Sequence, residues 1–332
     1  MSCPICSATP AWVALWSAGL ALGLAASAAA DEGPQAPQVR KFKFFYGATI
    51  NELEPGTKAR VWMPVATSNH EQKVRLVAAR TPAKPQYGKD KTHRNQTIYF
   101  EAAADEQGRI AVDIEYLVER RELLASRGER APARIPREYL ASSKLIPVDG
   151  TLLKKLLGDE VPVGDAADKA RRLYDAVDDL MSYDKPEGQP WGRGDALWAC
   201  DSRFGNCTDF HSVFIGACRD LSIPAKFEMG FPLPEETGAG EVAGYHCWAK
   251  FVHDGRWQAV DISEADKRPA LKDYYFGNLT ADRVTFTEGR DLELEPPPAA
   301  GPVNFLVYPY VEIGGRPHAR FVKRFRYEDV DK

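Results

Sequence analysis

The sequence lacks several features that mark a charged partner. Its 43 Lys and Arg and 47 Asp and Glu residues give a formal net charge of −4 at pH 7 and form no long block of one sign. We therefore expect no nucleic-acid partner and no attraction to an anionic membrane surface. No internal repeat occurs, and no loop of the D-x-[DN]-x-[DN]-G type is present. We accordingly predict no calcium control and no other cofactor.

Cysteine is scarce, with 6 residues in 332. Cys3 and Cys6 precede an apolar run, and no C-x-x-C pair occurs after them, which argues against a zinc site built from paired cysteines. The other four cysteines are Cys200, Cys207, Cys218 and Cys247. Each of these four is a structural thiol, a disulfide partner or a reactive group, and its surroundings must decide between them.

Charge is missing from the N-terminus, since Ala11 to Ala30 contains no ionisable side chain. The apolar run AWVALWSAGLALGLAA is followed by ASAAA, which offers an A-x-A cleavage site. We therefore predict a signal peptide over residues 1–30, and a secreted or periplasmic mature protein with no stable membrane partner. A retained membrane anchor is the alternative, because 20 uncharged residues can just span a bilayer and no Lys or Arg precedes the run.

Strand patterns fill residues 31–135, which we predict to form a β-rich, sandwich-like accessory domain. The segments are short, rich in β-branched and aromatic residues, and separated by Pro, Gly and Asn: VRKFKFFY, KARVWMP, QKVRLVAAR, QTIYFEA and RIAVDIEYLVE. A charged, proline-containing linker ends near Tyr139. We assign packing or substrate positioning to this module, and we place a catalytic domain at residues 136–332.

Helical spacing appears only in the second part of the chain. DAADKARRLYDAVDDLMSY has apolar residues three and four apart, which predicts an amphipathic helix. A second helix is predicted to follow Gly205-Asn206, with Cys207 in its first turn, where free N–H groups and the helix dipole favour a thiolate. Cys218 lies about 16 Å further along the same face and is interpreted as an inert core thiol.

Two alternating segments flank Asp254-Gly255, a dipeptide that suits a two-residue type I′ hairpin. Counting back from this turn places His246 and Asp261 on one face as diagonal neighbours, roughly 7 to 8 Å apart at the backbone. A three-residue loop would put Asp261 on the opposite face. Cys247 then points away from His246 and is interpreted as a core residue.

At these residues the sequence resembles the transglutaminase-like superfamily, whose members share a papain-like cysteine, histidine and aspartate site. The resemblance rests on GNCTDFHSVFIGACRDLSIPAKF, HCWAKF and GRWQAVDISEA, in that order, and covers about residues 160 to 265. It implies an α+β fold in which a cysteine at a helix N-terminus packs on an antiparallel sheet, preceded here by the β-rich domain typical of exported bacterial members.

The resemblance also implies roles for individual residues: Cys207 as nucleophile, His246 as general base and Asp261 as the acid that orients it. Trp191 and Trp198 are candidates for an indole that stabilises the oxyanion. The implied reaction is acyl transfer on an amide of a protein or peptide, including cell-envelope peptides. The sequence leaves the choice between peptidase, amidase and cross-linking transglutaminase open.

Two other readings stay open. His211, one helical turn after Cys207, could join His246 and Cys247 in a zinc site. The chain could instead be a catalytically inactive binding module of the cell envelope, with its thiol held in a disulfide between Cys200 and Cys207.

Overall fold

The computed structural model describes residues 36–330, so the predicted signal peptide lies outside the described part of the chain. The strands in chain order are β1 (Val39–Ile50), β2 (Lys58–Pro64), β3 (Gln72–Arg80), β4 (Gln86–Lys89), β5 (Gln96–Ala103), β6 (Ile110–Arg121), β7 (Ser182–Tyr183), β8 (Phe204–Gly205), β9 (Ala225–Pro232), β10 (Ala239–Val242), β11 (His246–His253), β12 (Arg256–Val260), β13 (Phe276–Gly277), β14 (Arg283–Glu288), β15 (Tyr310–Ile313), β16 (Arg316–Pro317) and β17 (Phe321–Asp329). The α-helices are α1 (Thr151–Leu157), α2 (Ala166–Leu180), α3 (Ala196–Ser202), α4 (Cys207–Asp220) and α5 (Ile262–Lys267). Short 3₁₀ turns occupy Ala125–Arg127, Arg137–Tyr139 and Pro269–Leu271.

Three antiparallel sheets of five strands organise the described residues. Their strand orders are β10-β17-β1-β6-β3 for the first, β13-β12-β11-β9-β14 for the second and β16-β15-β2-β5-β4 for the third. Strands β7 and β8 form a separate parallel pair. The five strand segments expected from the sequence are β1, β2, β3, β5 and β6, and each is confirmed.

The first sheet buries alternate side chains, as expected for an antiparallel sheet with one solvated face, whereas β2 and β5 of the third sheet bury consecutive residues at 61–64 and 97–100. Along β6 buried and more exposed positions alternate over most of the strand, and the inward residues of β1 and β2 belong to the same hydrophobic cluster. Phe44 of β1 lies 5.1 Å from Phe231 of the second sheet, measured between ring centroids. One continuous core therefore joins the β-rich part to the sheet that carries the candidate site.

Strand pairing crosses the predicted domain boundary. β17, near the C-terminus, pairs with β1, and β15 pairs with β2. Within the described residues, the chain from Pro37 onward forms a single compact unit. The division into residues 31–135 and 136–332 stays a prediction about folding units.

Helix α4 is enclosed by the second sheet and by the other helices. Every residue from Cys207 to Arg219 is buried, so the helix has no solvated face. Asn206 caps it, accepting N–H bonds from Thr208 and Asp209, while the Asp209 side chain accepts the N–H of Asn206. This reciprocal capping box satisfies N–H groups that the first turn leaves free, and it fixes the point at which the helix begins. The predicted α+β class, with a cysteine at a helix N-terminus on an antiparallel sheet, is confirmed.

Candidate active site

Cys207 is the first residue of α4, as the sequence predicts. Glycine is required two residues before Cys207 for a steric reason, because a Cβ at Gly205 would lie 2.5 Å from the Cβ of Asp209. The thiol is nearly enclosed, with Cys207 only 2% exposed. The local sequence therefore fixes both the start of the helix and the place of its sulfur.

The hairpin of β11 and β12 has the predicted register. His253 pairs with Arg256, and the pairing continues back to Ala249 and Val260. Asp254 and Gly255 have φ values of 48° and 66°, as a type I′ turn requires. This register carries His246 toward the residue that follows β12, and the His246 Nε2 atom lies 2.8 Å from Asp261 Oδ2.

Asp261 is fully buried and uses both carboxylate oxygens. Its Oδ2 accepts from His246 and from Arg283 Nη1 at 3.1 Å. Its Oδ1 accepts from the Ser263 hydroxyl and from the Glu264 N–H, both at 3.3 Å, so the carboxylate also caps α5. These bonds fix the carboxylate in position, and they leave Nδ1 of His246 as the ring nitrogen available to the thiol.

The electrostatics favour a charged pair at the thiol. Burial alone would raise the pKa of Cys207, but hydrogen bonds from Cys247 and His246 outweigh it and hold that pKa well below its ordinary value. Burial also works against the His246 cation, yet the negative Asp261 and Cys207 groups raise the pKa of His246 to about 10. Despite its burial, the pKa of Asp261 is lowered, chiefly by His246. The directions of these shifts favour a thiolate beside an imidazolium.

His211 ties the helix to the aspartate segment. It is fully buried, and its Nδ1 lies 2.7 Å from the carbonyl oxygen of Cys207. The Ile262 N–H donates to His211 Nε2 at 3.0 Å, so Nδ1 carries the proton and the ring is a neutral tautomer. Burial lowers the pKa of His211 to about 4, which keeps this tautomer at neutral pH. His211 thus fixes the backbone of Cys207 relative to the residue after Asp261.

The contacts of His211 bear on the zinc reading. Both ring nitrogens hold hydrogen bonds within the chain. Across residues 36–330, no group of three or more His, Cys, Asp or Glu side chains has the arrangement of a metal site.

Three other cysteines lie within residues 36–330; all three are buried, and neither they nor Cys207 form a disulfide there. Burial raises the pKa of Cys200 to about 12 and also raises that of Cys218. Cys247 is a core residue as predicted, but its sulfur lies on the α4 side, 3.7 Å from Thr208 Oγ1 and 3.8 Å from His211 Nδ1. A second thiol therefore accompanies the candidate nucleophile, which strand alternation alone does not indicate.

The loop before α3 lies against the start of α4. The Asp209 carboxylate accepts the N–H groups of Gly192 and Gly194 at 2.7 and 2.8 Å. Gly192 has φ of 71°, and a Cβ there would lie 2.6 Å from the side-chain nitrogen of Asn206. Asp209 thus holds a glycine-containing loop beside the cap of the cysteine helix.

The two predicted oxyanion candidates lie on this loop and on the helix that follows it. The Trp191 indole N–H donates to the carbonyl oxygen of Asp184 at 2.6 Å, so this donor is already used. Trp198 packs edge-on against Phe204, with ring centroids 5.4 Å apart. An oxyanion role for Trp191 or Trp198 stays a prediction.

Several contacts around the triad were absent from the sequence prediction. Arg283 comes from β14, on the far edge of the second sheet, and no spacing in the sequence indicates its bond to Asp261. The N-x-x-D pattern of Asn206 and Asp209 was a usable capping signal. The four-residue spacing of Cys207 and His211 placed both on one helix face, although it did not indicate the bond to Ile262.

Comparisons with known proteins bear on the family of this region. A model of the transglutaminase-like superfamily matches residues 156–262, a range that contains Cys207, His246 and Asp261. An uncharacterised protein of Haemophilus influenzae is 31% identical over 230 residues, which are 59% of this chain and 62% of that relative. The chain therefore spans about three fifths of the relative that it matches.

One solved structure supports the fold. A protein from Cytophaga hutchinsonii, provisionally named a cysteine protease, is 15% identical, with 89% of this chain and 92% of that one covered and a TM-score of 0.55. The periplasmic domain of TgpA from Pseudomonas aeruginosa is 14% identical over 72% of this chain and 94% of that one, with a TM-score of 0.25. No helix within residues 36–330 is long and apolar enough to cross a membrane. The chain carries a domain of the transglutaminase-like superfamily at residues 156–262.

Proposed function

We propose that the protein is an exported thiol enzyme that transfers an acyl group from an amide through an acyl-enzyme on Cys207. The observation that carries the proposal is the buried contact series from Cys207 through His246 to Asp261, with charges that favour a thiolate and an imidazolium. A scaffold that only binds a partner has no need for this costly arrangement of buried charge. The proposal is therefore argued from the contacts of these side chains and not from the fold alone.

The first step forms a bond between sulfur and carbon. The Cys207 thiolate attacks the amide carbon, and the carbonyl electron pair moves onto oxygen. As this intermediate collapses, His246 gives its proton to the leaving nitrogen, an amine departs and the acyl group stays on sulfur. Asp261 holds the His246 imidazole in place during these steps, and Arg283 holds the Asp261 carboxylate.

The second step depends on the acceptor. Water attacking the thioester gives hydrolysis, as in a peptidase or amidase, whereas a primary amine gives cross-linking. In both cases His246 removes a proton from the acceptor and the thiolate is regenerated. We propose a protein or peptide amide as acyl donor, including cell-envelope peptides, and a secreted or periplasmic location set by the predicted signal peptide.

Intact-mass measurement after incubation with an activated ester tests the proposal without knowledge of the natural donor. With p-nitrophenyl acetate we expect one acetyl group on Cys207 of the wild-type chain and none on Cys207→Ala. Adding monodansylcadaverine then distinguishes the acceptors, since a dansylated product indicates amine transfer and free acetate indicates hydrolysis. A wild-type protein that gains no more acetyl than Cys207→Ala would support the inactive binding module instead.

A further inference from the structure

An acyl transfer site of this kind needs hydrogen-bond donors for the carbonyl oxygen that becomes negative. One donor is evident at the start of α4. The N–H of Cys207 has no hydrogen-bond partner within residues 36–330, because the helix begins at this residue. The Trp191 indole N–H is already bonded to Asp184. A second donor must come from another side chain near the thiol.

The hydroxyl of Tyr245 lies beside the residues that flank Cys207. Asn206 Nδ2 is 3.0 Å from this oxygen, and Thr208 Oγ1 is 2.7 Å from it. Tyr245 also directly precedes His246 at the start of β11. Its side chain is half-buried, whereas Cys207, His246 and Asp261 are all buried. The phenol thus lies at the first turn of α4, on a residue that is partly exposed to solvent.

The direction of one hydrogen bond is fixed by the helix cap. Asn206 Oδ1 accepts the N–H of Thr208 at 2.8 Å, so the other end of the amide must be its nitrogen. Asn206 therefore donates to the Tyr245 oxygen, which polarises the phenolic O–H bond and strengthens it as a donor.

The second hydrogen bond can run either way, because it joins two hydroxyls. When the Thr208 hydroxyl donates to Tyr245, the phenol proton is free for another acceptor. Rotation of two hydroxyl groups is enough for this change, and no heavy atom needs to move. The pair can therefore release a donor at the moment that charge develops on the substrate oxygen.

The ring of Tyr245 is held in place by other contacts. Its backbone N–H donates to the hydroxyl of Tyr308 at 3.0 Å, and the two rings meet edge-on at 5.4 Å. Phe305 packs on it as well, at 6.0 Å between centroids. Burial and the nearby Cys207 and Cys247 sulfurs raise the pKa of Tyr245 well above its ordinary value, so it remains a protonated donor. A fixed donor of this type loses little free energy to reorganisation.

We propose that the Tyr245 hydroxyl and the backbone N–H of Cys207 together form the oxyanion hole of this site. The inference rests on the proposed acyl transfer, and it gives Tyr245 a catalytic role in which its proton is shared with the oxyanion and not transferred. Trp191 and Trp198 are then loop and helix residues beside the site.

Two reagents that react with the same sulfur distinguish this role from a structural one. Acylation of Cys207 by p-nitrophenyl acetate passes through an oxyanion, with p-nitrophenolate as leaving group. Alkylation by iodoacetamide displaces iodide from a saturated carbon and forms no oxyanion. For Tyr245→Phe we expect the acylation rate to fall about 10²-fold, the usual loss for one oxyanion donor, while alkylation changes less than about twofold.

Tyr46→Phe is the matched control, since it removes another buried tyrosine hydroxyl, bonded to the carbonyl oxygen of Val307 in the core. We expect it to leave both rates unchanged. Wild-type acylation of Tyr245→Phe, or an equal fall in both of its rates, would overturn the oxyanion role and leave the proposed function standing. Trp191→Phe tests the alternative donor. A fall of about 10²-fold in the acylation rate of Trp191→Phe would assign the oxyanion role to the indole. The same assignment would follow if Tyr245→Phe did not fold and Trp191→Phe lost acylation. If Cys207→Ala were acylated as fast as the wild-type chain, the proposed function itself would be refuted.

Discussion

The thiolate and imidazolium pair predicts an unusual pH profile for alkylation of Cys207. An ordinary thiol with a pKa of about 8.5 is about 0.3% ionised at pH 6, and its alkylation rate rises about 75-fold between pH 6 and pH 8. Cys207 has its pKa held well below that of a free thiol, so its rate should rise much less over the same range. The shape of the profile matters more than the absolute rate, because the nearly enclosed sulfur limits access equally at every pH.

Replacing His246 by Ala removes the neighbouring cation and the hydrogen bond that it provides. The N-terminal dipole of α4 and the Cys247 thiol remain, so part of the effect should persist. We expect the profile of His246→Ala to rise steeply with pH and to reach its plateau at higher pH than the wild-type profile. The assay is iodoacetamide alkylation against pH, with mass mapping of each cysteine in the folded protein.

His253→Ala is the control for this experiment, since His253 ends the same strand and is not buried. Its profile should match the wild type, and Cys218 should stay unmodified in all three proteins because it is fully buried. A His246→Ala profile as flat as the wild-type profile would refute the reasoning, since the imidazole would then contribute nothing to the thiolate.

Three more predictions follow from the site. Asp261→Asn should fold but lose about 10⁴-fold in turnover, because an amide nitrogen facing His246 Nε2 would favour the wrong tautomer; a variant with near wild-type turnover would show that another acid orients the ring. The pKa of His211 is lowered to about 4, against about 6.5 in the unfolded chain, so the unfolded chain binds more protons between these two values. The free energy of unfolding should therefore fall by about 3 kcal/mol as the pH drops from 6.5 to 4. Urea unfolding at pH 4.5 and pH 7 should show a smaller difference in stability for His211→Asn than for the wild type, and an unchanged difference would contradict the assignment. Gly192→Ala should slow acylation by displacing Asn206, in addition to the cost of its positive φ, and a crystal structure with Asn206 unmoved and full activity would disprove this.

The pairing of His246 with Asp261 could be predicted because hairpin arithmetic is local. A turn of two residues sets the register, and side chains then alternate by a fixed period, so a count of letters is enough. The place of Cys207 was accessible for a similar reason, since the residues that start a helix lie next to it in the chain. Short-range rules therefore gave the side chains of the candidate triad.

The remaining features depend on contacts between distant parts of the chain. Arg283 reaches Asp261 from the edge strand β14, and β17 joins β1 from nearly 300 residues away. Neither pairing has a local signal, because such contacts are selected by the packing of whole sheets. The bond from the Trp191 indole to the Asp184 carbonyl oxygen has no local signal either, because it depends on how one loop folds back.

The contacts around Asp261 close into a ring that returns to the nucleophile. His246 joins Asp261 to the thiol, and Ile262, covalently next to Asp261, donates to His211, which bonds the carbonyl oxygen of Cys207. A shift of α5 would therefore move both the orienting acid and the helix turn that carries the sulfur, so the two cannot drift apart independently. Ring closure of this kind gives the precision that a site of buried charges needs, because an ion pair in a low dielectric is favourable only while its geometry is maintained.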